Sequence, residues 1–102
     1  MINWFRKKQL TYLPFKEALL QGALIIDVRT KAEYNDGHIS HAINIPLQQL
    51  ETQLPLIKQQ QKVIITCCRS GARSNLACQQ IKAAGIICYD GGAWQQLQKQ
   101  ID

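Results

Sequence analysis

Three short apolar runs constrain this chain most: Ala23-Leu24-Ile25-Ile26-Asp27-Val28, Val63-Ile64-Ile65-Thr66 and Ile86-Ile87-Cys88-Tyr89. A strand with one wet face alternates apolar and polar residues, whereas a run that is apolar throughout must be covered on both faces. The segments between the runs carry helical rather than strand spacing. Strands alternating with helices at these intervals predict an α/β domain with a mainly parallel sheet. In such folds a ligand binds beyond the carboxyl ends of the strands.

The connecting segments supply the rest. Leu10-Thr11-Tyr12-Leu13 is a short strand candidate, Pro14 suits a first helical turn, and a helix is expected from Phe15 to Gln21 with Gly22 as its stop. Thr30-Lys31-Ala32-Glu33 has the capping-box pattern, so a short helix should begin at Thr30 and end at Gly37. Ala42-Ile43-Asn44-Ile45-Pro46 reads as a strand closed by proline. Leu47, Leu50, Leu54 and Ile57 share one helical face, which Pro55 is expected to bend or divide. Leu76, Ala77, Ile81 and Ala84 form the stripe of a later helix capped by Gly85. Asp90-Gly91-Gly92 reads as a turn, and Trp94, Leu97 and Ile101 mark a closing helix.

A chain of 102 residues has room for one core, divided here into a basic leader (1–9) and a domain (10–102). Twelve basic against seven acidic residues give a net charge of +5, which favours anionic partners. The basic residues are dispersed apart from Arg6-Lys7-Lys8 and no aromatic–basic ladder appears, so nucleic acid is not an expected partner. Trp4 and Phe5 could touch a membrane surface, but eight residues make a weak anchor and no stable insertion is expected. No apolar leader and no run of the ~18 apolar residues of a membrane span is present, so the expected location is the cytoplasm, with reduced thiols. The four cysteines follow Cys-Cys-x9-Cys-x9-Cys, which matches no zinc spacing, and neither histidine is near them. No metal and no cofactor are expected.

The chemistry concentrates in Thr66-Cys67-Cys68-Arg69-Ser70-Gly71-Ala72-Arg73-Ser74. From Cys68 to Arg73 the spacing is Cys-x4-Arg; from Cys67 it is Cys-x5-Arg. A thiol becomes nucleophilic where positive potential stabilises its thiolate. Arg69 and Arg73 carry charge, backbone N–H groups from Ser70 to Ser74 can curl into an anion-binding nest, and a helix starting near Ser74 points its positive end at the same place. Gly71 permits the positive φ such a turn needs, and Ser74 can cap the helix. Such a loop suits attack by a cysteine on an oxyanion-bearing substrate, with no histidine required.

Three motifs in order, Asp27-Val28-Arg29-x3-Glu33-Tyr34-x2-Gly37-His38-Ile39-x2-Ala42-Ile43-Asn44-Ile45-Pro46, then Cys68-Arg69-Ser70-Gly71-Ala72-Arg73-Ser74, then Gly91-Gly92-Ala93-Trp94, resemble the rhodanese homology domain. The resemblance runs from about Leu10 to Leu97. It implies a three-layer α/β/α domain around a five-stranded, mainly parallel sheet, with Cys67 at the strand end and Cys68 at the head of the active loop. Six-residue loops in the family accompany sulfur transfer; seven-residue loops occur in related cell-cycle tyrosine phosphatases and some arsenate reductases. The resemblance therefore implies a thiosulfate sulfurtransferase with Cys68 as nucleophile and Arg69, Ser70, Gly71, Ala72, Arg73 and Ser74 binding the substrate. Its partners would be a small anionic sulfur donor, thiosulfate or a related persulfide, and a thiol or protein acceptor. Two alternatives stand beside it: a non-catalytic binding or regulatory module, and a phosphatase or arsenate reductase using Cys67.

The remaining polar residues read as support. The resemblance implies that Arg29 and Glu33 pair to fasten the turn after the second strand, and Asp27 is placed to order the loops. His38 belongs to a turn motif, and His41 stands where the family usually has glycine. Cys78 and Cys88 read as small packing residues, and Cys67 as buried.

Overall fold

The computed structural model describes residues 15–102. The elements run α1 (Phe15–Leu20), β1 (Leu24–Asp27), α2 (Lys31–Asn35), β2 (Ile43–Asn44), a 3-10 turn (Leu47–Gln49), α3 (Leu50–Gln59), β3 (Ile64–Cys68), α4 (Ala72–Ala83), β4 (Cys88–Ala93) and α5 (Trp94–Ile101). Among the described residues the sheet has four strands in the order β2-β1-β3-β4, and every pair is parallel. The strand expected at Leu10–Leu13, which would bring the count to five, lies outside the described residues, as does the leader.

The apolar runs are covered on both faces, as their composition requires. Ile26, Ile64 and Cys68 face Leu50 and Ile57 of α3 and Ala77, Cys78 and Ile81 of α4. Ile25, Ile65 and Cys67 face Ala18 of α1 and Leu97 of α5. Successive residues of a strand point to opposite faces, so the two adjacent cysteines enter different layers of the core.

Several boundaries differ from the sequence expectations. Pro55 does not divide its helix, which runs unbroken from Leu50 to Gln59; the division falls earlier, where the 3-10 turn gives way to α3. Pro55 and Glu51 are both exposed, so water can serve the Glu51 carbonyl that a proline leaves without its helical donor. On α4 the buried stripe is Ser74, Ala77, Cys78 and Ile81, while Leu76 is 52% exposed. Asp90-Gly91-Gly92 is not a turn but part of β4. Between Thr66↔Asp90 and Cys68↔Ala93 that strand carries one residue more than β3, which makes a bulge. Gly91 is required there, because a Cβ on it would stand 2.7 Å from the Thr66 carbonyl oxygen.

Candidate active site

β3 is the inner strand between β1 and β4, and it ends on Cys68 rather than on Thr66 or Cys67 as its apolar run suggested. Only Arg69, Ser70 and Gly71 separate it from α4. Gly71 holds φ 106°, in the left-handed region that glycine tolerates, and turns the chain sharply into the helix. Gly71 is therefore the N-terminal cap residue, and Ser74 lies inside the first turn instead of capping it.

This turn aims backbone donors at one atom. The N–H groups of Gly71 and Ser74 donate to Cys68 Sγ at 3.0 and 3.3 Å. Burial pushes the Cys68 thiol up, but donation from Ser74, Gly71 and Ser70 outweighs it, and the thiol lies below its ordinary value. Cys67, one residue earlier and equally buried, behaves in the opposite way. Burial and the nearby Asp27 carboxylate push its thiol well up. Burial and contact with Cys78 do the same to Cys88. Neighbours in sequence thus differ in chemistry because the pleat sends one sulfur to the donors and the other into the core.

The charged residues are paired differently from the expectation. Arg29 does not reach Glu33. Its Nε and Nη2 donate to Asp27 at 2.9 and 2.7 Å, Nη2 also donates to the Gly37 carbonyl at 2.7 Å, and its guanidinium lies 4.8 Å from the Trp94 ring centre. Asp27 and Arg29 are both buried, so the pair satisfies itself where water cannot. Glu33 instead receives Arg73, with Nη1 to Oε1 at 2.7 Å and Nη2 to Oε2 at 3.0 Å, while also closing the capping box with Thr30. The Arg73 hydrogen bonds, with the Thr30 donors, hold the Glu33 carboxyl down at about 2. Glu33 therefore ties α2 to the cysteine loop. The resemblance implies an Arg29–Glu33 pair; in the structure Arg29 joins Asp27 and Glu33 joins Arg73, because the β1 pleat and the position of α2 set the two side chains apart.

Arg69 is exposed, and among the described residues no carboxylate pairs with it. It shares a depression of about 370 Å3 with Arg29, Glu33, Asp36, Gly37 and Trp94. Ser70 and Ala72 are exposed beside it. His38 stays out of this group: its Nδ1 is 2.6 Å from the Tyr34 carbonyl oxygen and its ring stacks on Tyr34 at 3.7 Å. His41 is exposed. Among the described residues no three His, Cys, Asp or Glu side chains converge as metal ligands, and no helix is long and apolar enough to cross a membrane.

Three contributors were missed from sequence. Asn44 donates its amide to the carbonyls of Asp27 and Arg29 at 3.0 and 2.9 Å, which fixes the β1 end. Trp94 stands in the third motif and on the core face of the closing helix, and it also backs Arg29. Asp90 was absorbed into a supposed turn; its carboxylate accepts from the Ser74 hydroxyl at 2.7 Å and from Gly92 N–H at 2.9 Å. The Asp-x-Gly spacing was the available signal, since an aspartate readily accepts from the N–H two residues on.

The arrangement can hold a thiolate at a helix N-terminus, with the exposed Arg69 next to it in the chain. Residues 13–98 match the family described as Rhodanese-like domain. A "Sulfurtransferase" of Allochromatium vinosum is 35% identical over 79 residues, covering 72% of this chain and 73% of that protein. "Adenylyltransferase and sulfurtransferase uba4" of Ogataea parapolymorpha is 36% identical over 80 residues, covering 76% of this chain but only 21% of that protein. The crystal structure of reduced Bacillus anthracis CoADR-RHD superposes with a TM-score of 0.70 at 27% identity, over 83% of this chain and 15% of that one.

Proposed function

This chain belongs to the rhodanese-like domain family, and we propose that it is a sulfurtransferase that carries sulfane sulfur as a persulfide on Cys68. One observation carries the reading. Of the two adjacent cysteines, only Cys68 has its sulfur under converging N–H donors and its thiol lowered; Cys67 is pushed up in the core. The same contrast removes support from a Cys67 phosphatase or arsenate reductase. A pure binding module would have no use for a lowered thiol.

In the proposed reaction the Cys68 thiolate attacks the outer sulfur of thiosulfate. The new S–S bond forms as the old one breaks, and the departing electron pair leaves with sulfite. The persulfide anion then sits where the thiolate was, at the N–H groups of Gly71 and Ser74, in a place prepared for negative charge before the reaction. A thiol or protein acceptor, or cyanide in an assay, attacks the outer sulfur and returns the bonding pair to Cys68. No outside oxidant or reductant is needed.

The arginines divide the work. Arg69 at the mouth holds the donor's oxyanion, while Arg73, fastened on Glu33, keeps the loop in place and adds positive potential. The four cysteines are free thiols, which suits a reducing compartment such as the cytoplasm. Sulfurtransferase relatives support a donor and acceptor of the sulfane-sulfur class. The test is thiosulfate:cyanide sulfur transfer by two variants. Cys68→Ser is expected to be inactive and Cys67→Ser to keep most activity; the reverse result would move the reaction to Cys67.

A further inference from the structure

Ser74 has one hydroxyl hydrogen and more than one taker. Its Oγ lies 2.7 Å from Asp90 Oδ1 and 3.0 Å from the Gly71 carbonyl oxygen, while the N–H of the same residue donates to Cys68 Sγ at 3.3 Å. Asp90 is the strongest acceptor at the shortest distance, and charge-assisted bonds of this length are the strong ones. Its orientation is fixed independently of Ser74, because Gly92 N–H donates to the same oxygen at 2.9 Å and the Asn75 amide lies 3.4 Å from the other. Asp90 pairs with Thr66 in β3, and the β4 bulge begins just beyond it.

We propose that Asp90 is a positioning residue that takes the Ser74 hydroxyl hydrogen away from Cys68, leaving the thiolate only backbone donors. The proposal rests on Cys68 being the nucleophile. The consequence is kinetic. Every donor added to a thiolate lowers its energy and its proton affinity, and intrinsic nucleophilicity falls with proton affinity. A third, mobile donor would populate the thiolate further but make each thiolate slower. Holding the hydroxyl on Asp90 keeps each Cys68 thiolate more nucleophilic than its N–H setting plus a free hydroxyl would allow. Of the other charged and titratable groups near the sulfur, Arg73 is held on Glu33, Asp27 on Arg29 and Cys67 neutral by burial, while Arg69 is exposed to solvent, which screens its charge. The Ser74–Asp90 bond is thus the adjustable contact.

The test is the pH dependence of Cys68 alkylation by iodoacetamide in the folded protein, read by peptide mass. Asp90→Asn keeps an oxygen for Gly92 N–H but weakens the acceptor for Ser74. It is expected to lower the Cys68 midpoint by about one pH unit, the scale of one hydrogen bond to a charged atom. The limiting rate constant at high pH should fall about threefold. Ser74→Ala should leave the midpoint where it is, and Asp90→Asn made on that background should then do nothing. An unchanged midpoint in Asp90→Asn overturns the proposal. So does a shift that persists without the Ser74 hydroxyl, which would be bare charge repulsion, or a midpoint raised by Ser74→Ala alone. Asp90→Ser, whose hydroxyl can also accept from Gly92, replaces Asp90→Asn if that variant does not fold. Because alkylation uses no sulfur donor, this result is independent of whether Cys68 accepts sulfur.

Discussion

Glu33→Gln separates the charge of the α2–loop tie from its shape. Glu33 takes two hydrogen bonds from Arg73, at 2.7 and 3.0 Å, and one from Thr30 N–H at 3.0 Å. The side chains of Arg73 and Glu33 are 35% and 28% exposed, so solvent screens the pair. Partly exposed pairs contribute up to ~1 kcal/mol, and this one has the favourable bidentate geometry. Glutamine keeps an oxygen for the cap, so the expected cost is about 1 kcal/mol; Glu33→Ala, which also opens the capping box, should cost about 2 kcal/mol. For a domain this size the first figure corresponds to a Tm about 5 °C lower.

The pH dependence gives a sharper signature. In the fold the carboxyl sits at about 2, against an ordinary 4.5. A depressed folded value means that the contribution is full above about 4.5 and is lost as pH falls towards about 2. Urea unfolding at neutral pH and through that acid window is the assay. The native protein should lose more stability than Glu33→Gln on acidification, and the two curves should converge near the lower limit. Parallel loss by both proteins would refute the pairing as an energetic link.

Two further expectations follow from single contacts. Gly91→Ala forces a methyl against the Thr66 carbonyl oxygen at 2.7 Å and Leu97 Cδ2 at 2.9 Å; it should destabilise by about 1–3 kcal/mol in urea unfolding, and native stability would contradict the close approach. Arg69→Ala should raise the KM for thiosulfate roughly tenfold with a smaller change in kcat, as one charge-assisted contact is lost. An unchanged KM would remove Arg69 from donor binding.

The layers were legible in sequence because covering a continuous apolar run on both faces leaves few options. β1 and β3 appeared where their isoleucines placed them, and the Thr30–Glu33 capping box formed as written. Pairing partners were harder. Nothing local distinguishes Arg29 joining Asp27 from Arg29 joining Glu33; the pleat and the position of α2 decide it. Arg73 and Glu33 are 40 residues apart, and only the β1–β3 register brings them together. The same holds for Asp90 and Ser74, 16 residues apart, which meet through the pairing of β3 with β4. The glycines of Gly91-Gly92 signalled a special backbone, but turn and bulge share that signature. Leu76 misled because a stripe of apolar residues on a helix can be read with more than one phase; Ser74, buried for its bonds to the loop, belongs to the true one.

The central claim is that Cys68 accepts sulfur. Mass measurement of the intact, reduced protein after incubation with thiosulfate, followed by peptide mapping without reductant, tests it directly. The account predicts a gain of one sulfur atom, located on Cys68, that disappears when cyanide is added. A protein whose mass does not change, or a sulfur found on Cys67, Cys78 or Cys88 instead, would contradict it.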